Sequence, residues 1–378
     1  MRPLLRLLLH PLLFLLTFIA TTFAGAEWIW GRPFFWVSPA LTWAHFWDGL
    51  HYSIPFLGIL TVHEFGHYFV AQYHRLRVSL PYYIPLWLGF LPLFAGAPSI
   101  GTMGAFIRIR SRIWSRKVYF DVGIAGPLAG FVVALGVLWY GFTFLPPAEH
   151  IFEIHPEYAQ YGLAYADHVY QDAPEGGVRL GTNLLFEAFK YWVADPALLP
   201  NDFEIMHYPY LLAGYLALFF TALNLLPIGQ LDGGHVLYGL VGYRWHQRIA
   251  RLFFFVFLGY AGLGLFSVSD VWESPTGFIL YVGYLYWVWA REFRHWQAAL
   301  VVALVLVLCQ WGIAALFPGI EGYHAWLLFG FLLGRVVGIS HPGAEESVPL
   351  SPIRKALGVL ALVVFVLCFT PQPLLMVE

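Results

Sequence analysis

Residues 54–71 read Ile-Pro-Phe-Leu-Gly-Ile-Leu-Thr-Val-His-Glu-Phe-Gly-His-Tyr-Phe-Val-Ala, and the five at the centre, His63-Glu64-Phe65-Gly66-His67, decide how the rest of the chain is read. Residues four apart on a helix share a face, so the imidazoles of His63 and His67 can reach one ion. Glu64 stands beside them, where a carboxylate can accept a proton from an attacking water. The surrounding stretch is almost wholly Phe, Leu, Ile, Val, Gly and Tyr. Ionisable side chains in such a setting are costly and mark a functional site. With 15 His among 378 residues, chance would supply roughly 0.02 matches to this pattern.

The composition extends the argument to the whole chain. Apolar residues make up 60% and charged residues 11%, with a mean hydropathy of +0.68; soluble domains carry about 25% charged residues. This excludes an ordinary soluble enzyme and predicts an all-α polytopic membrane protein. Spanning a bilayer takes about 20 mostly apolar residues. Stretches near 4–24, 50–72, 118–144, 209–230, 250–268, 277–290, 297–317, 325–339 and 356–371 meet that description, so eight or nine transmembrane helices are expected. The first could also be a cleavable signal peptide, since Arg2 and Arg6 precede it and Ala24-Gly25-Ala26 follows; a retained helix is expected, because the topology needs a span before the histidines.

Charge is strongly segregated. Between Phe65 and Phe120 there is no Asp or Glu, but Arg75, Arg77, Arg108, Arg110, Arg112, Arg116 and Lys117 are all present. Between Leu145 and Tyr208 ten acids face only Arg179 and Lys190. The positive-inside rule places the basic loop in the cytoplasm and the acidic one outside. The outer segment, about 145–208, is long enough for a small folded cap. Cys309 and Cys368 lie in apolar segments and suggest no disulfide or thiolate site.

The basic loop has two further features. Residues 80–99 are apolar but broken by Pro81, Pro85, Pro92 and Pro98, which suits a re-entrant segment buried against protein. Phe106-Ile107-Arg108-Ile109-Arg110 alternates with the period of two of a strand at the membrane surface.

Two histidines do not complete a catalytic zinc site, which takes three protein ligands and leaves one position open. His74 follows His67 too late for the soluble-protease spacing, which would need a ligand at Tyr73, and it reads as a surface histidine. Asp232 is the better third ligand. It stands in Asn224-Leu225-Leu226-Pro227-Ile228-Gly229-Gln230-Leu231-Asp232-Gly233-Gly234, where Pro and Gly permit a broken helix. A carboxylate deep in a protein needs a cation partner; the competing reading is a helix cap without metal. His235 is expected to neighbour the site. Asn224 could hydrogen-bond an oxyanion or a backbone carbonyl freed by Pro227, and the residues alone leave both open. Gly126-Pro127-Leu128-Ala129-Gly130 reads as a close helix-packing segment.

Together these residues resemble the site-2 protease family of intramembrane metalloproteases, over roughly 54–240. The resemblance implies that His63, His67 and Asp232 hold one Zn²⁺ per chain near the cytosolic side of the membrane. It makes Glu64 the catalytic acid/base and Asn224 an assisting group, and it likens 99–110 to a membrane-associated β region beside the cleft. The expected organisation is an N-terminal helix and outer loop over 1–49, a protease core over 50–245, and additional helices over 246–378. The 145–208 loop is too short for the PDZ domain that many bacterial members carry. The lipid bilayer and membrane-spanning protein substrates are the expected partners, with no nucleic acid. The absence of a Ser- and Arg-rich leader points to a bacterial plasma membrane. Two rivals stand beside this reading: a transporter, since broken helices with a buried carboxylate also mark ion sites, and a catalytically dead relative acting as a scaffold.

Overall fold

The computed structural model describes residues 3–38, 40–94, 96, 99–170, 178–346 and 348–376. Arg2 of the basic N-terminus, Ala95, Ala97 and Pro98 of the expected re-entrant stretch, and Asp172 and Glu175 of the acidic loop lie outside the described residues. The chain is mostly helical with two small two-stranded sheets, and it divides into two compact units.

The first unit comprises Met1–Arg112, Ala125–Leu223 and Val363–Glu378. Its N-terminal helix, Pro3–Trp30, packs against the His-Glu helix, Leu50–Tyr73. The approach is close because the contact is built from small residues. A Cβ on Gly49 would fall 2.0 Å from the Thr22 carbonyl oxygen, and one on Gly25 would fall 2.7 Å from the Tyr52 ring. Thr21 and Ser53 add a hydroxyl–hydroxyl hydrogen bond of 2.6 Å. In a bilayer, where apolar surface gains little by leaving lipid, such close packing is what holds helices together.

A hairpin lies on these two helices. Strand β1, Tyr82–Leu86, pairs antiparallel with β2, Gly101–Phe106, with a bulge between Tyr83 and Pro85. The expected strand at 106–110 is therefore displaced: the regular ladder ends where the Ile-Arg alternation begins. Pairing continues irregularly, Ser79 N–H donating to Arg108 (3.1 Å) and Arg110 N–H to Arg77 (2.7 Å). The register slips by one residue between Tyr82↔Phe106 and Val78↔Ile109. Pro81 lies in this gap and has no N–H to give the ladder. The Tyr83 hydroxyl meets Thr61 on the His-Glu helix at 2.8 Å, and Tyr52 O–H donates to the Ile100 carbonyl (3.1 Å). The proline-broken segment is thus tied to protein on both flanks.

The outer segment forms a cap of short helices around Ile151, Ile154 and Tyr165. Asn183 caps the helix Leu184–Trp192 by accepting from Phe186 N–H at 3.0 Å. Strand β3, Val178–Leu180, pairs with β4, Leu374–Met376.

The second unit comprises Ile113–Ile124 and Asn224–Leu362. It contains the helices Asp232–Val241, Tyr243–Ala261, Pro275–Ala290 and Trp296–Leu316. Buried Gln310 accepts from Tyr281 O–H (3.0 Å) and donates to the Gly259 carbonyl (3.1 Å), so its amide is matched on both sides. Arg116 donates twice to the Gly239 carbonyl, and Arg354 makes a two-pronged pair with Asp121 at 2.7 and 3.0 Å.

Among the described residues, three helices are long and apolar enough to cross a membrane: Leu8–Trp30, Arg116–Thr143 and Trp296–Leu316. Pro209–Asn224 and Trp326–Val337 are shorter apolar helices. By this measure the described residues do not reach the expected eight or nine. The shortfall has local causes. The stretch 209–230 stops being helical at Asn224, because Pro227 and Gly229 follow, and 325–339 loosens into a π-turn at Leu332–Val337. Cys309 and Cys368 are free thiols.

Candidate metal centre

His63, Glu64 and His67 lie in the second half of the helix Leu50–Tyr73, and all three are buried, 5 to 7% exposed. The Nε2 atoms of the two histidines face each other at 3.0 Å. Two nitrogens on a tetrahedral zinc ion, each about 2.05 Å from it, stand about 3.3 Å apart. The pair is therefore within about 0.3 Å of the separation one ion requires, and imidazole is a fitting donor for zinc.

The segment Gly126–Gly130 holds this pair in place. A Cβ on Gly126 would fall 2.2 Å from His67 Nε2 and 2.4 Å from its Cδ2. One on Gly130 would fall 3.0 Å from the His63 Cβ, and one on Gly66 would fall 2.7 Å from the Ala125 carbonyl oxygen. The expected packing role is thus more specific than close helix approach: bare backbone forms the wall against which both imidazoles rest.

Asp232 and Asn224 belong to the second unit. The helix Pro209–Asn224 ends at half-buried Asn224, and a tight loop leads to a new helix whose first residue is Asp232. The loop doubles back so closely that only glycine fits. A Cβ on Gly233 would fall 1.9 Å from the Leu225 carbonyl oxygen, and one on Gly234 would fall 2.4 Å from that of Gly229. Gly229 itself has φ +55°, the left-handed region that glycine enters freely. The N-cap position of this helix is Leu231, and Asp232 is its first helical residue.

Sequence reasoning missed the surroundings of His235. Its Nδ1 lies 2.8 Å from Nε2 of His341, 106 residues further on, and its ring stacks on Tyr119. His341 Nδ1 donates to the Pro342 carbonyl, and Tyr238 stacks on the ring at 4.1 Å. No local pattern announces His341; only the fold brings it here. Burial, then the neighbouring His235 and His246, push the His341 imidazole down to about 3 from 6.5. The unfolded chain takes up this proton as pH falls below 6.5, whereas the folded chain resists it. Stability is therefore complete above pH 6.5 and is lost as pH falls, by about 2 kcal/mol at pH 5. Thermal unfolding in detergent at pH 7 and pH 5 should show this drop, and His341→Gln should reduce it; an equal drop in both proteins would assign the effect elsewhere.

A buried His-Glu-x-x-His helix braced by a Gly-Pro segment is the arrangement found in metallopeptidases. Residues 51–261, more than half the chain, match the model of peptidase family M50, and the chain belongs to that family, the site-2 proteases. It is 27% identical over 233 residues to "Probable zinc metalloprotease EGY2, chloroplastic" of Oryza sativa subsp. indica, covering 60% of this chain and 34% of that protein. It is 28% identical over 226 residues to "Probable zinc metalloprotease EGY1, chloroplastic" of Oryza sativa subsp. japonica, covering 60% and 32%. The chain thus spans about a third of the length of these curated relatives. No solved structure is significantly similar to it. The relatives are named chloroplastic and lend no support to the expected bacterial plasma membrane.

Proposed function

We propose that this chain is an intramembrane zinc metallopeptidase that hydrolyses peptide bonds in or near the transmembrane helices of membrane-tethered proteins. The reading rests chiefly on the His63 and His67 Nε2 atoms converging at 3.0 Å beside a buried glutamate. Asp232 is proposed as the third ligand, one Zn²⁺ being held at this site. Two imidazoles with one carboxylate suit a divalent ion and leave it one open position.

Bound zinc supplies a Lewis acid and brings the pKa of water down to about 7. Glu64 takes the proton of the attacking water and returns it to the leaving amine, so one carboxylate serves both halves of the reaction. Asn224 donates a hydrogen bond to the oxyanion. A substrate helix hides its peptide bonds and must unwind first. The hairpin suits that step: β2 belongs to a two-stranded sheet tied to the His-Glu helix through Tyr83 and Thr61, and an edge strand accepts an extended peptide. Arg75 and Arg77, just beyond this helix, favour a site toward the cytosolic side. The core is taken as 50–245, with the helices beyond it lying in or across the bilayer.

Metal content tests the reading before any substrate is known. Protein purified in mild detergent should carry zinc, and His67→Ala and Asp232→Ala should each lose one equivalent. Wild-type protein that takes up no zinc, even when zinc is supplied and the excess removed, would displace the peptidase in favour of a scaffold.

A further inference from the structure

A second group of metal-ligand side chains lies in the outer cap, in the same compact unit as the His-Glu helix but remote from it in sequence. His155, Glu204 and His207 each offer one ligand atom, and the three atoms lie within 4.8 Å of one another. Two nitrogens on a tetrahedral zinc ion stand about 3.3 Å apart. Side-chain rotations that draw these atoms together by up to about 1.5 Å would therefore close the group on an ion.

Hydrogen bonding sets the form of each imidazole. His207 Nδ1 lies 3.0 and 2.8 Å from the carbonyl oxygens of Trp28 and Ile29. Carbonyls only accept, so Nδ1 carries the hydrogen and Nε2 presents a lone pair. His155 Nδ1 lies 3.1 Å from a carboxylate oxygen of Glu157, which likewise leaves its Nε2 as the donor atom. Both Nε2 atoms converge on one spot: a Cβ on Gly31 would lie 3.8 Å from that of His207 and 3.9 Å from that of His155. Glu204, 1% exposed, brings its carboxylate to the same place, 3.3 Å from His207 Nε2, and accepts a hydrogen bond from Tyr170 on its other oxygen. A lone pair and a carboxylate oxygen this close need something positive between them. A single proton could serve one such pair, but it would not engage His155 as well. Each ligand also has its own outer partner (a backbone carbonyl, a carboxylate and a phenol), the arrangement that orients and strengthens metal-bound side chains.

We propose that His155, Glu204 and His207 form a second zinc site, distinct from the His-Glu motif, which joins the two ends of the outer cap. A cap of some sixty residues has little core of its own, and a metal cross-link between positions about fifty residues apart is a physical means of holding it closed.

The test is metal stoichiometry of the full chain in detergent, stripped with chelator and reloaded with zinc. Using a His67→Ala background removes the motif site, so that the remaining metal reports on the cap alone. His67→Ala should retain one equivalent, and His67→Ala/His155→Ala and His67→Ala/Glu204→Gln should retain none. His155 is half-buried and Glu204→Gln preserves shape, so neither change should prevent folding. Cobalt(II) should give intense visible absorption in His67→Ala, typical of a tetrahedral site, and this should vanish in the double variants. If His67→Ala binds no metal, or the double variants bind as much as it does, the group is only a hydrogen-bonded cluster and the proposal fails. Neither result bears on the motif site, which is judged by wild-type against His67→Ala.

Discussion

Replacing Glu64 with Gln is expected to lower peptide hydrolysis by about 10²–10⁴-fold, the range attributed to a positioned general acid/base. Glutamine matches glutamate in size and in carbonyl geometry but cannot accept a proton from water at neutral pH. Glu64 is 5% exposed, so bulk water is poorly placed to substitute for it. The proposed ligands are untouched, and the zinc content of Glu64→Gln should equal that of wild type. Cleavage of a single-span reporter reconstituted in liposomes, measured alongside metal content, separates the two effects. Wild-type cleavage by Glu64→Gln would assign the proton transfer to another group. Loss of both cleavage and zinc would make Glu64 a structural element of the site.

The second large effect is expected at a residue that carries no chemistry. Gly126→Val should weaken zinc binding by at least about 10-fold, the lower end of what disturbing a ligand's supporting contacts costs. Even its Cβ would fall 2.2 Å from His67 Nε2, and retreat is blocked because Gly66 already stands against Gly126 and the Ala125 carbonyl. The imidazole must leave its position or the helices must part. Overpacking of this kind costs about 1–3 kcal/mol in stability as well. Gly136 provides the control: it lies on the same helix, Arg116–Thr143, and a Cβ there meets nothing within 4 Å. Gly136→Ala should bind zinc like wild type. If Gly126→Val also does so, the glycine segment packs helices without positioning the ligand.

How far these features were legible in the sequence depends on the range of the interaction behind each. His63, Glu64 and His67 could be read directly, because a helix fixes the relation of residues three and four apart whatever surrounds it. The break before Asp232 could be read for the same reason: Pro227, Gly229, Gly233 and Gly234 constrain backbone within a few residues of themselves. The strand expected at 106–110 marks only the end of the β region at 99–110: the regular ladder forms over Tyr82–Leu86 and Gly101–Phe106, since a strand needs a partner in register and Pro81 interrupts pairing beside the alternating run.

By itself, then, the sequence determined that this is an apolar, mostly helical protein with a paired-histidine and glutamate site, because composition and helical periodicity are local properties that no tertiary context can reverse. Only the tertiary structure decided that Gly126 and Gly130 are the wall behind the two imidazoles, that Tyr83 ties the hairpin to Thr61, that His341 meets His235, and that His155 joins Glu204 and His207. Each of these is a contact between residues far apart along the chain. Such contacts are set by how helices and loops pack against one another, to which residue spacing gives no guide.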